Sequence, residues 1–477
     1  MSATQGDNIG TKPGRLPFNT LVVAIVIACS FFMETLDSTV LVTAIPQMAK
    51  SFGVRPVELG LSITAYVLSM AVVTPCSAWI ADRFGARTVY ALAIVVFTAS
   101  SIACGMAQGF WPFIAARAVQ GLGGALMSPV GRIVQLRQTA KSDLVRAITI
   151  ATAPGLVAPV LGPPIGGFIT TYFSWPWIFF LNVPLGFIGV AMVLRFCPNT
   201  RSDNPKPFDR VGFFLNGAAL AFLVYGMADL GASGNWQGPA VLTAAGFVLA
   251  GFAVLHALRH AHPLIPLTPM QVRTFRFTSV TAGLLLRLAA FCVPFILPLL
   301  FQIGFGMTAF QSGLLFLGHT VGDLAAKLVT ARVQRTLGFR NVLIYLSAAF
   351  AASLAACSLF SQATSFWTMF AILFVAGVFR SLLYTALGTL AYADMPREEM
   401  GNASVLSAMM MQLTRAFGIS MTAIVMNVSV VLRGAPAMSI PDFRVGILTV
   451  ALLTGLSVLW WVRLPVGVGA EVSGHGR

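Results

Sequence analysis

The chain has 477 residues, of which 57% are hydrophobic and only 9% are charged, and its mean hydropathy is +0.84. This composition excludes an ordinary soluble domain, because about a quarter of the residues of soluble domains are charged. The formal net charge is +15. Its basic residues are scattered over short loops, which argues against a nucleic-acid partner and for contact with anionic lipid headgroups.

Apolar stretches of about 20 residues, the length that crosses a bilayer as a helix, occur roughly 14 times along the chain. The first continues to Pro46 without a small-residue cleavage pattern, so we expect it to remain as the first span. Glycine and proline inside the spans predict several kinked helices. The other spans centre near Val67, Ile94, Leu122, Val157, Gly186, Leu220, Gly246, Leu288, Gly318, Phe350, Val375, Met411 and Leu453.

The first span carries two acids, Glu34 and Asp37. A carboxylate at bilayer depth is costly, so one that persists normally faces a bundle interior or a water-filled path. The spacing of three residues puts both acids on one helical face. Two acids this close resist ionising together and can take up and release a proton. The pair therefore predicts a proton-coupled membrane protein.

A weak internal repeat divides the chain. The loop after the second span contains Gly85, and a similar loop after the tenth contains Gly338. They lie about 250 residues apart, whereas six spans with their loops occupy about 190, so two further helices are inserted. We predict an all-α membrane protein of 14 transmembrane helices. It comprises an N-terminal six-helix bundle over residues 1–200, two inserted linker helices over 201–265 and a C-terminal six-helix bundle over 266–477.

Lysine and arginine indicate the orientation. Most of the 30 basic residues fall in the loops on the same side as both termini. The opposite loops carry only Lys50, Arg55, Arg433 and Arg444. Because positive loops stay inside, we expect both termini to be cytoplasmic in a multi-pass protein of the plasma membrane.

Other chemistry has little support in the sequence. The six cysteines are isolated, without metal or redox spacing, and no glycine-rich phosphate loop with its Gly-Lys pair occurs. We interpret His256, His260 and His262 as interfacial residues at a helix end, because no acid or cysteine stands beside them in the sequence. The prediction is therefore a protein without cofactor, metal or enzymatic activity.

Four sequence blocks carry a family resemblance. Residues 81–87 resemble the loop motif of the major facilitator superfamily. Residues 36–46, 117–125 and 158–167 are similar to motifs of its 14-span drug:proton antiporter family, the bacterial multidrug exporters. Departures from the usual motifs include Val42, Ala78, Ala86 and Ala158. The resemblance implies the major facilitator fold, in which two bundles move about a midplane site.

Arg117 lies at membrane depth, where a guanidinium needs a partner. We expect that partner to be a carboxylate of the first span or a backbone carbonyl. The resemblance implies that Arg117 acts with Glu34 and Asp37 in proton transfer or in its electrostatic control, and a purely structural ion pair is the alternative.

Two further motifs suggest parts of a conformational cycle. Asp82, Arg83, Gly85 and Arg87 can form a charged latch at the cytoplasmic helix ends, or a plain positive-inside turn. The resemblance implies a hinge or seal in the fifth span, and structural packing is the alternative. The residues of this second motif are Gly162, Pro163, Gly166 and Gly167.

The second half holds the candidates for a substrate cavity. His319, Asp323 and Lys327 recur every four residues, and we expect an Asp323–Lys327 pair within the helix in preference to a second proton relay. Arg380 is a further intramembrane cation. These cations leave the sign of the substrate charge open. The cavity candidates are Arg287, His319, Asp323, Met409 and Arg415.

The leading hypothesis is a bacterial inner-membrane transporter that exports amphipathic organic compounds or drugs in exchange for protons by alternating access. The alternative is a proton-coupled uptake symporter or facilitator, which would need more polar cavity spans than the methionine- and phenylalanine-rich surfaces found here. A receptor or scaffold would need a soluble domain for which the chain has no room. The expected partners are small organic substrates and protons. An accessory periplasmic adaptor stays open, and without one we expect a monomer.

Overall fold

The computed structural model describes residues 17–139, 144–201, 207–232, 236–261, 263–396, 399–465 and 467–469. Every regular element within these residues is helical. Eleven helices are long and apolar enough to cross a membrane. Three further long helices, Phe110–Gln138, Leu144–Tyr172 and Ala309–Ala326, complete a set of fourteen. The predicted all-helical membrane protein is thereby confirmed. Both chain ends, on which the orientation prediction depends, lie outside the described residues.

The helical segments follow the predicted order. The first seven are α1 (Phe18–Phe52), α2 (Gly60–Phe84), α3 (Ala86–Gly105), α4 (Phe110–Gln138), α5 (Leu144–Tyr172), α6 (Trp177–Phe196) and α7 (Arg210–Ala232). The second seven are α8 (Gln237–Arg259), α9 (Arg273–Gly304), α10 (Ala309–Ala326), α11 (Thr330–Ser358), α12 (Phe366–Ala393), α13 (Met400–Leu432) and α14 (Ile440–Trp461).

Several segments depart from a regular α-helix. A 3₁₀ turn at Thr74–Cys76 interrupts α2, and a π turn at Leu300–Gly304 ends α9. Proline occurs four times inside α5, which nevertheless runs unbroken from Leu144 to Tyr172. Such irregularities are tolerated in a membrane because neighbouring helices and side chains take up the freed backbone groups.

The helices pack in two groups with α7 between them. In the first group α1 packs along α5 and α6, and α4 packs along α2 and α3. In the second, α10 packs on α12, and α14 packs on α9 and α11. The groups meet where α5 contacts α10 and where α2 contacts α13, and α7 lies against both α2 and α13. The division of the chain at residues 200 and 265 stays a prediction.

Candidate transport site

Asp37 and Arg117 form an ion pair inside the first group of helices. Arg117 Nη1 lies 2.6 Å from Asp37 Oδ2, and the side chains are 0% and 1% exposed. The guanidinium lies over the Tyr66 ring of α2, with its carbon 4.4 Å from the ring centroid. The Tyr66 ring stabilises the face of the guanidinium, whose Nε and Nη2 have no hydrogen-bond partner among the described residues. The structure thus brings together the predicted cation and one acid of the first span.

Two amides and a hydroxyl complete the surroundings of Asp37. Gln120 Nε2 and Asn182 Nδ2 donate to Asp37 Oδ1 over 2.9 Å and 3.1 Å. The same amides donate to Ser101 Oγ over 2.6 Å and 3.2 Å. These hydrogen bonds and the adjacent guanidinium satisfy the buried oxygens of the carboxylate. Helices α1, α3 and α6 each contribute one residue and α4 contributes two to this network, which we call the Asp37 network.

The sequence analysis missed Gln120, Asn182 and Ser101. Gln120 could have been found, because it follows Arg117 by three residues and therefore shares its helical face. Its Oε1 accepts from Arg117 Nη1 over 2.5 Å. Asn182 and Ser101 gave no such signal, since isolated small polar residues are common in membrane helices.

Glu34 has different partners from Asp37. Its Oε2 accepts a hydrogen bond from the Ser128 hydroxyl of α4. Arg415 of α13, in the second group of helices, lies within electrostatic reach. Glu34 is half-buried, whereas Asp37 is buried. The two acids, predicted to lie on one helical face, therefore have different environments. Asp37 lies within the first group of helices, and Glu34 lies towards the second.

The predicted Asp323–Lys327 pair is wrong. Asp323 Oδ2 instead lies 2.9 Å from Arg380 Nη2 of α12, and Lys327 donates to Thr385 Oγ1 over 2.9 Å. A Cβ on Gly377 would lie 1.9 Å from the His319 carbonyl oxygen, so α10 and α12 approach to backbone contact. Arg380 can therefore reach Asp323, while Lys327 lies beyond the last residue of α10, Ala326.

The other cavity candidates have separate positions. His319 is 1% exposed, with its ring 5.3 Å from the Phe316 ring. Arg287 is 3% exposed on α9, and Arg415 lies 4.9 Å from the Phe291 ring centroid. Met409 packs in an apolar cluster with residues of α2 and α7, among them Ala71 and Leu220. The structure therefore does not gather all five candidates around one point.

The loop motif after α2 is held by the end of α4. Asp82 Oδ1 lies 2.5 Å from Arg137 Nη2. Gly85 has φ +95°, and a Cβ there would lie 2.2 Å from Asn199 Oδ1, so only glycine fits without strain. Arg83 is exposed and Arg87 is half-buried. Arg137 and Asn199 were missed by the sequence analysis because they lie outside the motif.

The glycines of α5 allow close contact on two sides. Gly162 and Gly166 face α1, where a Cβ would lie 2.1 Å from Thr39 Oγ1 and 2.4 Å from Thr43 Oγ1 respectively. Gly167 faces α10, where a Cβ would lie 2.4 Å from the Ala309 carbonyl oxygen. The Pro163 carbonyl lies 2.2 Å from the Cβ position of Gly313 on α10. This segment therefore forms part of the contact between the two groups of helices.

The expectation that the histidines at the end of α8 have no acid beside them is wrong. Asp209 Oδ1 lies 2.8 Å from His256 Nε2, and His260 is close enough for a three-ligand metal group. However, Asp209 already accepts from the backbone N–H groups of Gly212 and Leu264. With these bonds the Asp209 carboxylate caps the N-terminus of α7, which accounts for its position. We therefore assign no metal to this group. His262 lies outside the described residues.

The surroundings of Asp209 also set its acidity. Burial raises the pKa of this carboxyl, but hydrogen bonds from Gly212, Leu264 and His256 lower it, and the net result is a pKa below the ordinary value. The carboxylate therefore stays charged at neutral pH and joins α7, α8 and the segment that follows α8.

Comparisons with known proteins identify the family. The Major Facilitator Superfamily profile matches residues 27–291 and 279–476. A Serratia proteamaculans protein, named as multidrug resistance protein MdtD, is 35% identical over 92% of this chain and 92% of its own length. The protein of that name in Klebsiella pneumoniae strain 342 is 33% identical over 94% and 95%.

Solved structures share the fold. The POT family transporter PepTSo superposes with a TM-score of 0.70, at 12% identity, over 97% of this chain and 99% of that one. The human organic anion transporter MFSD10 gives a TM-score of 0.61, at 14% identity, over 93% and 100%. At these identities the likeness shows the fold alone. Together with the sequence relatives, it establishes that this chain belongs to the major facilitator superfamily and is a multi-pass membrane transporter, not an enzyme.

Proposed function

We propose that this transporter exports amphipathic organic compounds in exchange for protons. The observation that carries the proposal is the Asp37 network, a buried ion pair with 0% and 1% exposed side chains inside a membrane protein. Intramembrane ion pairs are expensive and mark proton or ion pathways. The relatives named as multidrug resistance proteins support the substrate class.

The network suggests how a proton would act on the bundles. Protonation of Asp37 removes the charge that compensates Arg117, which then lies buried without an anion. The arrangement of the helices in which ionised Asp37 accepts hydrogen bonds from Gln120 and Asn182 is then no longer the most stable one. A second arrangement, in which Arg117 finds water or another partner, then gains population. Proton binding and release would thereby drive alternating access.

Other parts have supporting roles in this proposal. The Asp82–Arg137 pair and Gly85 hold the cytoplasmic ends of α2 and α4 as a latch, and Gly162, Pro163, Gly166 and Gly167 let α5 move closely against α1 and α10. The bundles at residues 1–200 and 266–477 move as units about residues 201–265. We further propose an inner-membrane location with cytoplasmic termini, a monomer, and contact with anionic lipids through the basic loops.

Everted vesicles test the direction of transport. In vesicles from bacteria that lack competing exporters, we expect acidification of the lumen to drive accumulation of amphipathic dyes such as ethidium. A protonophore should abolish the accumulation. If dyes accumulate only in right-side-out vesicles with an inward proton gradient, the protein is an uptake symporter. If no tested compound moves against its gradient, proton-coupled export is excluded.

A further inference from the structure

Arg287 is a second buried arginine, and it differs from Arg117 in having no acid beside it among the described residues. It is 3% exposed on α9, and its Nε and Nη1 have no hydrogen-bond partner among the described residues. Arg117, buried to the same degree, has Asp37 at 2.6 Å. A guanidinium at membrane depth without an anion costs several kcal/mol, so its presence indicates function.

The groups around Arg287 form a positive and aromatic cluster. Tyr384 of α12 lies within electrostatic reach of Arg287, Arg380 and Arg415, and its buried hydroxyl has no hydrogen-bond partner in the described part of the chain. The Phe291 ring lies 6.0 Å from the Tyr384 ring and 4.9 Å from the Arg415 guanidinium carbon.

One of these three arginines is already neutralised within the protein. Arg380 pairs with Asp323 over 2.9 Å. No carboxylate of the described residues forms a salt bridge with Arg287 or Arg415, but Glu34 lies within electrostatic reach of Arg415. The uncompensated positive charge of this cluster therefore lies at Arg287. The combination of free donors, positive charge and aromatic rings suits an amphipathic molecule with an acidic head.

The geometry points to an anion-binding subsite at Arg287 and Tyr384 that takes the carboxylate, sulfonate or phosphate group of a transported amphipathic compound. Arg287 donates from Nε and Nη1, the Tyr384 hydroxyl donates a third hydrogen bond, and the apolar part of the compound packs against Phe291. This assignment rests on the proposed export function and specifies the chemistry of its substrates.

Direct binding tests the subsite without requiring transport. Dansylglycine and its uncharged amide differ only at the acidic group, and their fluorescence reports binding to the purified full chain in neutral detergent. We expect the acid to bind at least about 10-fold more tightly than the amide, because hydrogen bonds to a charged group contribute about 1.5–3 kcal/mol. Equal affinity for the two probes would overturn the assignment.

Variants of Arg287 separate an anion site from a structural role. Arg287→Gln should weaken the binding of dansylglycine roughly 10- to 100-fold. The same variant should leave the affinity for the amide unchanged. Arg287→Lys should restore part of the lost affinity for dansylglycine. Since Arg287 has no acid partner, Arg287→Gln should not lower the melting temperature. The matched control is Arg332→Gln at an exposed arginine of α11. The subsite would be contradicted if Arg287→Gln bound dansylglycine with unchanged affinity. It would also be contradicted if the variant had a lower melting temperature and bound both probes more weakly.

Two further measurements distinguish a substrate subsite from a lipid site and from a failure of export. Phosphatidylglycerol added to the detergent should not displace dansylglycine; displacement through Arg287 would mean that the site holds a lipid headgroup. In proteoliposomes with a proton gradient, transport of ethidium without dansylglycine would overturn the subsite and leave the proposed export intact. Transport of neither would overturn the export function itself, whereas transport of dansylglycine that Arg287→Gln removes supports both.

Discussion

The charged clusters of the two groups of helices differ in burial and in hydrogen bonding. In the first, Asp37 accepts from Arg117, Gln120 and Asn182, and its ion pair is 0% and 1% exposed. In the second, Asp323 and Arg380 are 28% and 21% exposed, and Arg287 has no acid partner among the described residues. The first cluster is closed, and its charges are compensated within the protein. The second has free donors and suits a ligand.

We infer from this difference that the two groups of helices have different roles in transport. A closed ion pair in a low-dielectric interior responds strongly to one proton, because the remaining charge has no water to compensate it. A cluster that is partly exposed at Asp323 and Arg380 and has unused donors on Arg287 responds to a solute that supplies acceptors. Coupling then requires only that both clusters favour the same arrangement of the bundles.

The largest effect is expected from breaking the closed pair. Arg117→Ala leaves the Asp37 carboxylate buried without its cation, and removal of one partner of a buried pair typically costs about 3–5 kcal/mol. Loss of the cation beside Asp37 should also change the pH dependence of transport. Thermal unfolding in detergent and efflux measured against pH check both effects.

A double variant controls for the lost packing of Arg117. Adding Asp37→Asn to Arg117→Ala removes the uncompensated charge, so much of the lost stability should return. If the double variant is as unstable as Arg117→Ala alone, the loss comes from packing against Tyr66 and the ion pair does not cause it.

The corresponding change in the second cluster should have a smaller effect. Asp323→Asn removes a pair that is about a quarter exposed, and such pairs contribute about 0–1 kcal/mol after solvent screening. We expect little change in melting temperature and none in the pH optimum of transport. A stability loss or pH shift equal to that of Arg117→Ala would remove the contrast between the two clusters.

The smallest effect concerns Asp209, which lies outside both clusters. Its pKa is lowered on folding, so its stabilising contribution is present above the unfolded value of about 4 and is lost as pH falls through the folded value. The melting temperature of the protein should therefore exceed that of Asp209→Asn at pH 6, and the difference should shrink at lower pH. A constant difference from pH 6 to pH 3 would contradict this titration.

Local patterns in the sequence predicted much of the fold and part of the site. Each span is recognisable from its own apolar residues, and Arg117 is conspicuous because a cation in such a span needs an acid. The partners that were missed depend on tertiary contacts. Asn182 lies 145 residues from Asp37, and Asp209 lies 47 residues from His256. The Asp323–Lys327 prediction failed because the spacing of residues along one helix does not reveal contacts with another helix. Here α12 packs closely against α10 at Gly377, which brings Arg380 to Asp323.

The most direct test of proton coupling through the Asp37 network compares two transport modes in Asp37→Asn. The amide keeps the shape of the side chain but cannot ionise, so it should abolish gradient-driven accumulation of substrate in proteoliposomes. Substrate counterflow, which needs no proton gradient, should continue in the same preparation at a rate close to that of the unchanged protein. Gradient-driven accumulation that persists undiminished in Asp37→Asn would remove the Asp37 network from proton coupling.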